Sequence, residues 1–254
     1  MLSRVVLLVG ILLSFQSLGQ TPQAQEEAQK EWAYIVANYV DETGSTDFAR
    51  LAKSDDLARL KQVVEFISKT SPNTHPELFK APNATMAYYI NAYNALAMYG
   101  VIDRGIPDGF TSFIKRAKFF KFRDVVIGGE ETNLYDFEND VVRPLGEPRA
   151  HFALNCMVKD CPRLPQVPFV AETLDEQLKQ AAWEFFAKEK HFYRDDKNNA
   201  VYVSEILDFY TEDFVESGKT KDLGEYINRY VNTPIPDSYK IKFIDYDWRI
   251  NAQK

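Results

Sequence analysis

Histidine and cysteine are scarce in this sequence, and basic residues do not outnumber acidic ones. Three histidines and two cysteines among 254 residues are too few for a metal cage rich in either type, although one mixed site stays open. The formal charge is -7, from 30 lysines and arginines against 37 aspartates and glutamates, so the electrostatic footprint of a nucleic-acid or anionic-lipid ligand is missing. We therefore expect no nucleic-acid partner.

The apolar run at the N-terminus is too short to cross a membrane. It covers residues 5–15, about eleven residues, whereas a spanning helix needs roughly twenty. Arg4 precedes the run and the short segment 17–19 follows it, which is the pattern of a cleaved secretory signal peptide over residues 1–19. Gln20 stands where a lipoprotein signal requires cysteine, so we expect no lipid anchor. The sequence predicts an exported protein, periplasmic or extracellular, without stable membrane insertion after cleavage.

The rest of the chain has the composition of a folded protein, with 45% hydrophobic and 26% charged residues. Residues 20–29 are polar and rich in Gln and Glu, which predicts a short tether between the cleavage site and the first helix. Residues 30–254 contain neither an internal repeat nor an interdomain linker, and this favours one globular domain.

Hydrophobic periodicity predicts both helices and strands in that domain. The segment 84–102 is almost free of charge and long enough for about five turns, which indicates a helix buried on most sides. Residues 119–127 and the two glycines that follow favour a hairpin, and residues 150–155 are typical of a buried strand. Further strands are predicted at 201–203 and 241–250. We therefore predict an α+β fold, a single domain with helices packed around a small antiparallel sheet.

Three separated motifs connect the sequence with a known family. They are YYINAYNAL at residues 88–96, RAHFALNC at 149–156 followed by CPRL at 161–164, and YDWRIN at 246–251. With these motifs in this order, the chain resembles the domain of unknown function 547 family over roughly residues 32–251. The resemblance implies no established reaction.

The sequence departs from the family pattern at two positions. Asp160 stands just before the second cysteine, where the family often has serine. Asn139 follows the glutamate of a predicted short helix, where the family often has histidine. A role that needed that hydroxyl or that second imidazole is therefore not expected in this chain.

The residues around His151 suggest one functional hypothesis, a cysteine enzyme. Side chains alternate along a regular strand, so His151 and Cys156 lie on opposite faces. Cys161, in the loop after the strand, could fold back toward His151 as the nucleophile, or Cys156 could do so if the strand bulges. Candidates to orient the imidazole are Asn94, Glu138 and Asp247. The order of elements is similar to that of papain-like and transglutaminase-like hydrolases and acyl transferases, with Asp247 as the third member.

The spacing of the cysteines also fits a structural role. Cys156 and Cys161 are five positions apart in a chain predicted to be exported, and an oxidising compartment favours a disulfide between them. A disulfide removes the nucleophile. The second hypothesis, which we favour, is therefore a non-catalytic envelope module that binds a small molecule, a peptide or a partner protein.

Four polar side chains are candidates for lining the binding cleft of such a module. Asn91 and Asn94 lie three positions apart on one face of the buried central helix, where their amides either brace neighbouring loops or line a pocket. Glu138 in the short helix and Arg149 after it complete the set, and Arg149 could clamp a carboxylate or phosphate. We predict no cofactor and no metal, because the predicted strand holds the histidine and the first cysteine on opposite faces.

Overall fold

The structure is a computed structural model that describes residues 21–253 of the chain. The predicted signal peptide lies outside the described residues. The α-helices are α1 (Pro22–Tyr39), α2 (Phe48–Lys53), α3 (Leu57–Lys69), α4 (Ala84–Asp103), α5 (Phe113–Phe120), α6 (Leu134–Asp136), α7 (Leu174–Phe186), α8 (Ile206–Phe209), α9 (Thr211–Phe214) and α10 (Leu223–Ile227). The strands are β1 (Asp124–Ile127), β2 (Glu130–Asn133), β3 (Phe192–Asp195), β4 (Ala200–Ser204) and β5 (Lys240–Ile244). Within residues 21–253, no helix is both long and apolar enough to cross a membrane.

Helix α4 is the buried helix that the sequence predicts at 84–102. Asp103 is its only charged residue, and it stands at the last position. Buried side chains occur all round the helix, and α2 and α3 pack against it. Gly105 lies just beyond the C-cap in the left-handed conformation, with φ 73°, and its N–H donates to Ile102 O. Glycine therefore ends the helix at the position where this conformation is required.

The strands form two small sheets, and the predicted α+β class is confirmed. Strands β1 and β2 form an antiparallel hairpin, and its tight turn is made by Gly128 and Gly129, both with positive φ. In the second sheet, β4 pairs antiparallel with β3 and parallel with β5. The parallel pair joins segments 35 or more residues apart, and local periodicity carries no information on such a pairing.

Two hydrophobic clusters make up most of the core. The larger one surrounds α4, and the second lies between α7 and the sheet of β3, β4 and β5. Phe152 belongs to the second cluster, whereas the neighbouring Ala150 and Ala153 belong to the first. Tyr246 packs against both. The chain around residue 152 and Tyr246 therefore lie where the two clusters meet.

The strand predicted at 150–155 is wrong. The structure has a 3-10 helical turn at Pro148–Phe152, with Pro148 in its first turn and the Glu147 side chain accepting from Arg149 N. A buried turn and a buried strand share the same short apolar run, so burial alone could not distinguish them. The alternation that separated His151 from Cys156 therefore does not apply.

The tether predicted at 20–29 is replaced by the first turns of α1 over the described part of that segment. Thr21 caps the helix by accepting a hydrogen bond from Ala24 N, and Pro22 occupies the first helical position. Ala24 and Ala28 are buried, one turn apart, in a cluster with Phe66. The buried face of this part of α1 consists of small alanines. Because the surrounding residues are polar, the composition of the segment resembles that of a tether.

Candidate functional site

An open cavity of about 610 Å³ lies between α5, the π-helical turn after α6, the 3-10 turn around His151, helices α8 and α9, and the C-terminal segment. We call it the aromatic cleft. Its aromatic lining consists of Tyr93, Phe113, Phe120, Tyr135, Phe209, Tyr210, Tyr246 and Trp248. Trp248 contacts three of these rings, those of Phe120, Phe209 and Tyr246. Polar and ionisable side chains of both signs complete the lining, namely Arg116, Lys121, Glu138, Asn139, Arg143, His151, Glu205 and Glu212.

Glu138 is the most buried acidic residue of the cleft, with 9% of its surface exposed. It is carried by the π-helical turn Phe137–Val142, which continues α6. Turns of this kind are rare and concentrate at functional sites. Tyr93 and Tyr210 lie beside Glu138, and burial, followed by the Glu138 charge, raises the pKa of each phenol well above its ordinary value. Glu138 is thus held among phenol groups.

His151 lies beside Glu138 and is 5% exposed. Its Nε2 is 2.7 Å from Asp213 Oδ2, a hydrogen bond in which the imidazole donates, and its Nδ1 is 3.9 Å from Glu138 Oε1. The ring stacks on Tyr210 with 4.1 Å between centroids. The imidazole is therefore fixed between two carboxylates and one aromatic face.

Arg143 completes this polar cluster. Its Nε is 2.6 Å from Asp213 Oδ2 and its Nη2 is 2.7 Å from Glu212 Oε1. Partial burial raises the pKa of Asp213, but hydrogen bonds from His151 and Arg143 lower it more, and the pKa lies well below its usual range. Arg143 Nη1 also donates to Asn139 Oδ1 at 2.6 Å. Asn139, one of the two departures from the family pattern, thus orients Arg143.

Cys156 and Cys161 form a disulfide, as the sequence predicts. Cys156 lines the aromatic cleft, and its Sγ is 3.7 Å from the Tyr246 hydroxyl. Cys161 is buried, and Cys156 N lies 3.0 Å from its Sγ. Because both sulfurs are bonded to each other, neither can form a thiolate, and the cysteine-enzyme hypothesis has no support.

Comparison with known proteins finds a family match over part of the chain. Residues 77–186 match the model of a family described as a protein of unknown function, DUF547. This segment is therefore an uncharacterised DUF547 domain. The matched segment includes Tyr93, Glu138, His151 and both cysteines, whereas Asp213 and the YDWRIN motif lie outside it. No curated protein matches the chain. No solved structure matches it.

Asn91 and Asn94, the two asparagines of the first family motif, brace neighbouring loops instead of lining the aromatic cleft. Asn94 Oδ1 accepts from Asn155 N at 2.7 Å, and its Nδ2 donates to Ala153 O at 3.0 Å. Asn91 accepts from Trp32 Nε1 and Phe169 N and donates to Phe169 O. Asn94 therefore holds the chain between His151 and Cys156, and its amide has no free polar atom for a ligand.

Two other predicted site residues also face away from the cleft. Arg149 pairs with Glu147 at 2.6 Å and with Asp175 at 2.8 Å. Asp247 pairs with Arg249. Neither lines the aromatic cleft, and Asp213, not Asp247, is the carboxylate that holds the His151 ring.

Of the predicted site residues, the aromatic cleft brings together Glu138, His151 and Cys156. Sequence reasoning missed Tyr93, Tyr210 and Asp213. Tyr93 lies between Asn91 and Asn94 in the first family motif, so the motif itself could have indicated it. Asp213 is 62 residues from His151, and no local pattern marks it. Among residues 21–253, no group of three or more His, Cys, Asp or Glu side chains is arranged to hold a metal ion.

Proposed function

We propose that this DUF547 protein is a non-catalytic binding protein whose aromatic cleft holds a small organic cation. The observation that carries the proposal is Glu138, a buried carboxylate within an aromatic cavity. Among the described residues, no lysine or arginine lies within ion-pair distance of Glu138, and His151 at 3.9 Å is its closest basic partner. A ligand with an ammonium group would supply the missing charge.

The walls of the aromatic cleft suit the same ligand class. Aromatic faces attract cations through the negative charge of the ring face, and aromatic cages recognise ammonium groups in this way. Trp248, Tyr246 and Phe209 pack with ring centroids 4.8 to 6.4 Å apart and form one wall. An amine with an apolar or aromatic body would therefore pack on this wall and donate hydrogen bonds to Glu138.

The disulfide favours binding over catalysis, because it removes the two sulfur nucleophiles. His151 is almost fully buried, its Nε2 donates to Asp213, and its ring is stacked on Tyr210. These contacts support a structural role for His151, which positions Tyr210 and Asp213.

The test is calorimetric titration of the chain from residue 20 onward with tyramine and with 4-ethylphenol, which has the same ring but no ammonium group. We expect tyramine to bind more tightly than 4-ethylphenol. Glu138→Gln should weaken tyramine binding roughly 10- to 100-fold and leave the affinity for 4-ethylphenol unchanged. Glu216→Gln removes an exposed carboxylate away from the cleft and is the matched control. Equal tyramine affinities in wild type and Glu138→Gln, or no tyramine binding at all, would contradict the proposal.

We further propose that the protein is exported to the periplasm or the extracellular space. The signal-peptide pattern of residues 1–19 and the disulfide support this. Expression of the full chain in a bacterium, followed by fractionation and intact-mass measurement, tests it. We expect a product beginning at Gln20 outside the cytoplasm, and retention of the unprocessed chain when Leu7→Arg interrupts the apolar run. A processed Leu7→Arg chain outside the cytoplasm would contradict the proposal.

A further inference from the structure

Helix α5 and its flanking residues carry a charge opposite to that of the whole chain. Between residues 109 and 123 there are five lysines and arginines and no aspartate or glutamate, whereas the chain as a whole has a formal charge of -7. All three lysines of the segment, Lys115, Lys118 and Lys121, are exposed. The overall charge count, from which the sequence predicts no footprint for anionic lipid, conceals this local excess.

Three large apolar side chains project from the same segment. Phe113 is 77% exposed, Ile114 65% and Phe122 73%, and these are the three largest fractions among the exposed large hydrophobic residues of the described chain. We call these three residues and the three exposed lysines the α5 surface. Burial of the apolar tips would be favourable, because each leaves a large apolar area in contact with water.

The α5 surface is held firmly by the rest of the protein. Phe119, on the opposite side of the helix, is fully buried and stacks on Phe110 with 4.2 Å between centroids. Ser112 caps the first turn, and Arg104 Nη2 donates to Lys118 O at 2.7 Å. The exposed phenylalanines are therefore presented outward by an anchored helix.

We propose that the α5 surface docks the protein on an anionic lipid bilayer. Lysines beside exposed aromatic and aliphatic side chains are the pattern of a helix that lies in the membrane interface, where the apolar tips enter the headgroup boundary and the lysines face anionic headgroups. The charge also argues against a second copy of the chain as the occupant, because a two-fold contact would place this basic surface against itself. This inference stands independently of the proposed ligand.

The test is sedimentation of the chain from residue 20 onward with vesicles of phosphatidylcholine alone or of phosphatidylcholine mixed with phosphatidylglycerol. We expect binding to the mixed vesicles, little binding to the neutral ones, and loss of binding at high salt. Lys115→Gln with Lys118→Gln should weaken binding roughly 30-fold. Lys61→Gln with Lys197→Gln removes two exposed lysines elsewhere and should have no effect.

A second variant pair separates insertion from charge. Ile114→Ser with Phe122→Ser should weaken binding to the mixed vesicles without changing the charge. None of these four α5 positions lines the aromatic cleft, so tyramine binding should be the same in every variant. The proposal is overturned if the mixed vesicles bind no protein, or if the α5 and control lysine variants bind equally. It is also overturned if the protein forms dimers in the absence of vesicles and the double variant Ile114→Ser with Phe122→Ser is monomeric.

Discussion

At the scale of single residues, His191 is a buried histidine outside the aromatic cleft. Neither of its ring nitrogens has a hydrogen-bond partner among the described residues, and its ring stacks on Phe185 with 4.0 Å between centroids. Burial, followed by the charges of Lys190 and Lys188, lowers the pKa of His191 to about 2. The folded protein therefore keeps this imidazole neutral in mild acid, whereas the unfolded chain protonates it.

The sign of the resulting pH dependence follows from this difference. The pKa of His191 is 6.5 in the unfolded chain and about 2 in the folded one, so between these values only the unfolded chain binds the proton. The folded state therefore loses stability as the pH falls below 6.5. We expect the free energy of unfolding to fall by about 1.4 kcal/mol for each pH unit in this range from His191 alone. Urea denaturation of wild type and His191→Phe at pH 7 and pH 5 measures this contribution. Phenylalanine keeps the stacking, and an equal loss of stability in both proteins would contradict the prediction.

Asp213 holds both His151 and Arg143, so its charge should matter for stability. We expect Asp213→Asn to lower the free energy of unfolding by about 2 kcal/mol, because it weakens two charge-assisted hydrogen bonds at partly buried groups. Glu212 binds the same arginine but its side chain is 65% exposed, so Glu212→Gln should cost less than about 0.5 kcal/mol. Chemical denaturation of the two variants checks the difference, and equal effects would show that Asp213 has no special role.

At the scale of elements, local signals predicted the pieces whose stabilising contacts are also local. The low charge of 84–102 predicted α4, the paired glycines predicted the turn between β1 and β2, and Asn133 caps α6 as its residue type suggests. The 3-10 turn Pro148–Phe152 was missed because tertiary burial produces the same apolar run in a turn as in a strand.

The disulfide is an element-scale feature with a measurable stability effect. Closing a loop between Cys156 and Cys161 restricts the unfolded chain, and for a ring this small the chain-entropy relation gives about 2 kcal/mol. We expect Cys156→Ser with Cys161→Ser to fold and to be less stable by about this amount. Thermal melts with and without reductant check the prediction. Reductant should lower the melting temperature of the wild type and leave that of the double variant unchanged. A wild type that melts at the same temperature with and without reductant would contradict the prediction.

At the scale of the whole molecule, the aromatic cleft is assembled from positions far apart in the chain. Tyr93, Glu138, His151, Asp213 and Tyr246 come from five separate segments. The family motifs contain three of these residues, Tyr93, His151 and Tyr246, but the sequence carried no distances between them. For this reason the sequence predicted Glu138 and His151 as site residues and assigned the carboxylate on His151 to Asp247 instead of Asp213.

The whole-molecule arrangement also links the two proposals. Phe113 and Phe120 of helix α5, with Lys121 just after it, line the aromatic cleft, and Phe113 and Lys121 also belong to the α5 surface. A protein docked through α5 would hold the cleft next to the headgroups of the bilayer. The two sites can nevertheless be tested separately, because the α5 variants leave the cleft intact and Glu138→Gln leaves α5 intact.

The most direct measurement is a crystal structure of the protein soaked with tyramine. We expect the tyramine ring against Trp248 and its ammonium group within hydrogen-bond distance of Glu138, with the Cys156–Cys161 disulfide in place. A second cavity of about 540 Å³, lined by residues of α1, α3 and α4, offers an internal comparison. Tyramine bound in that cavity with the aromatic cleft empty would contradict the proposed ligand site, and free thiols at Cys156 and Cys161 would contradict the disulfide.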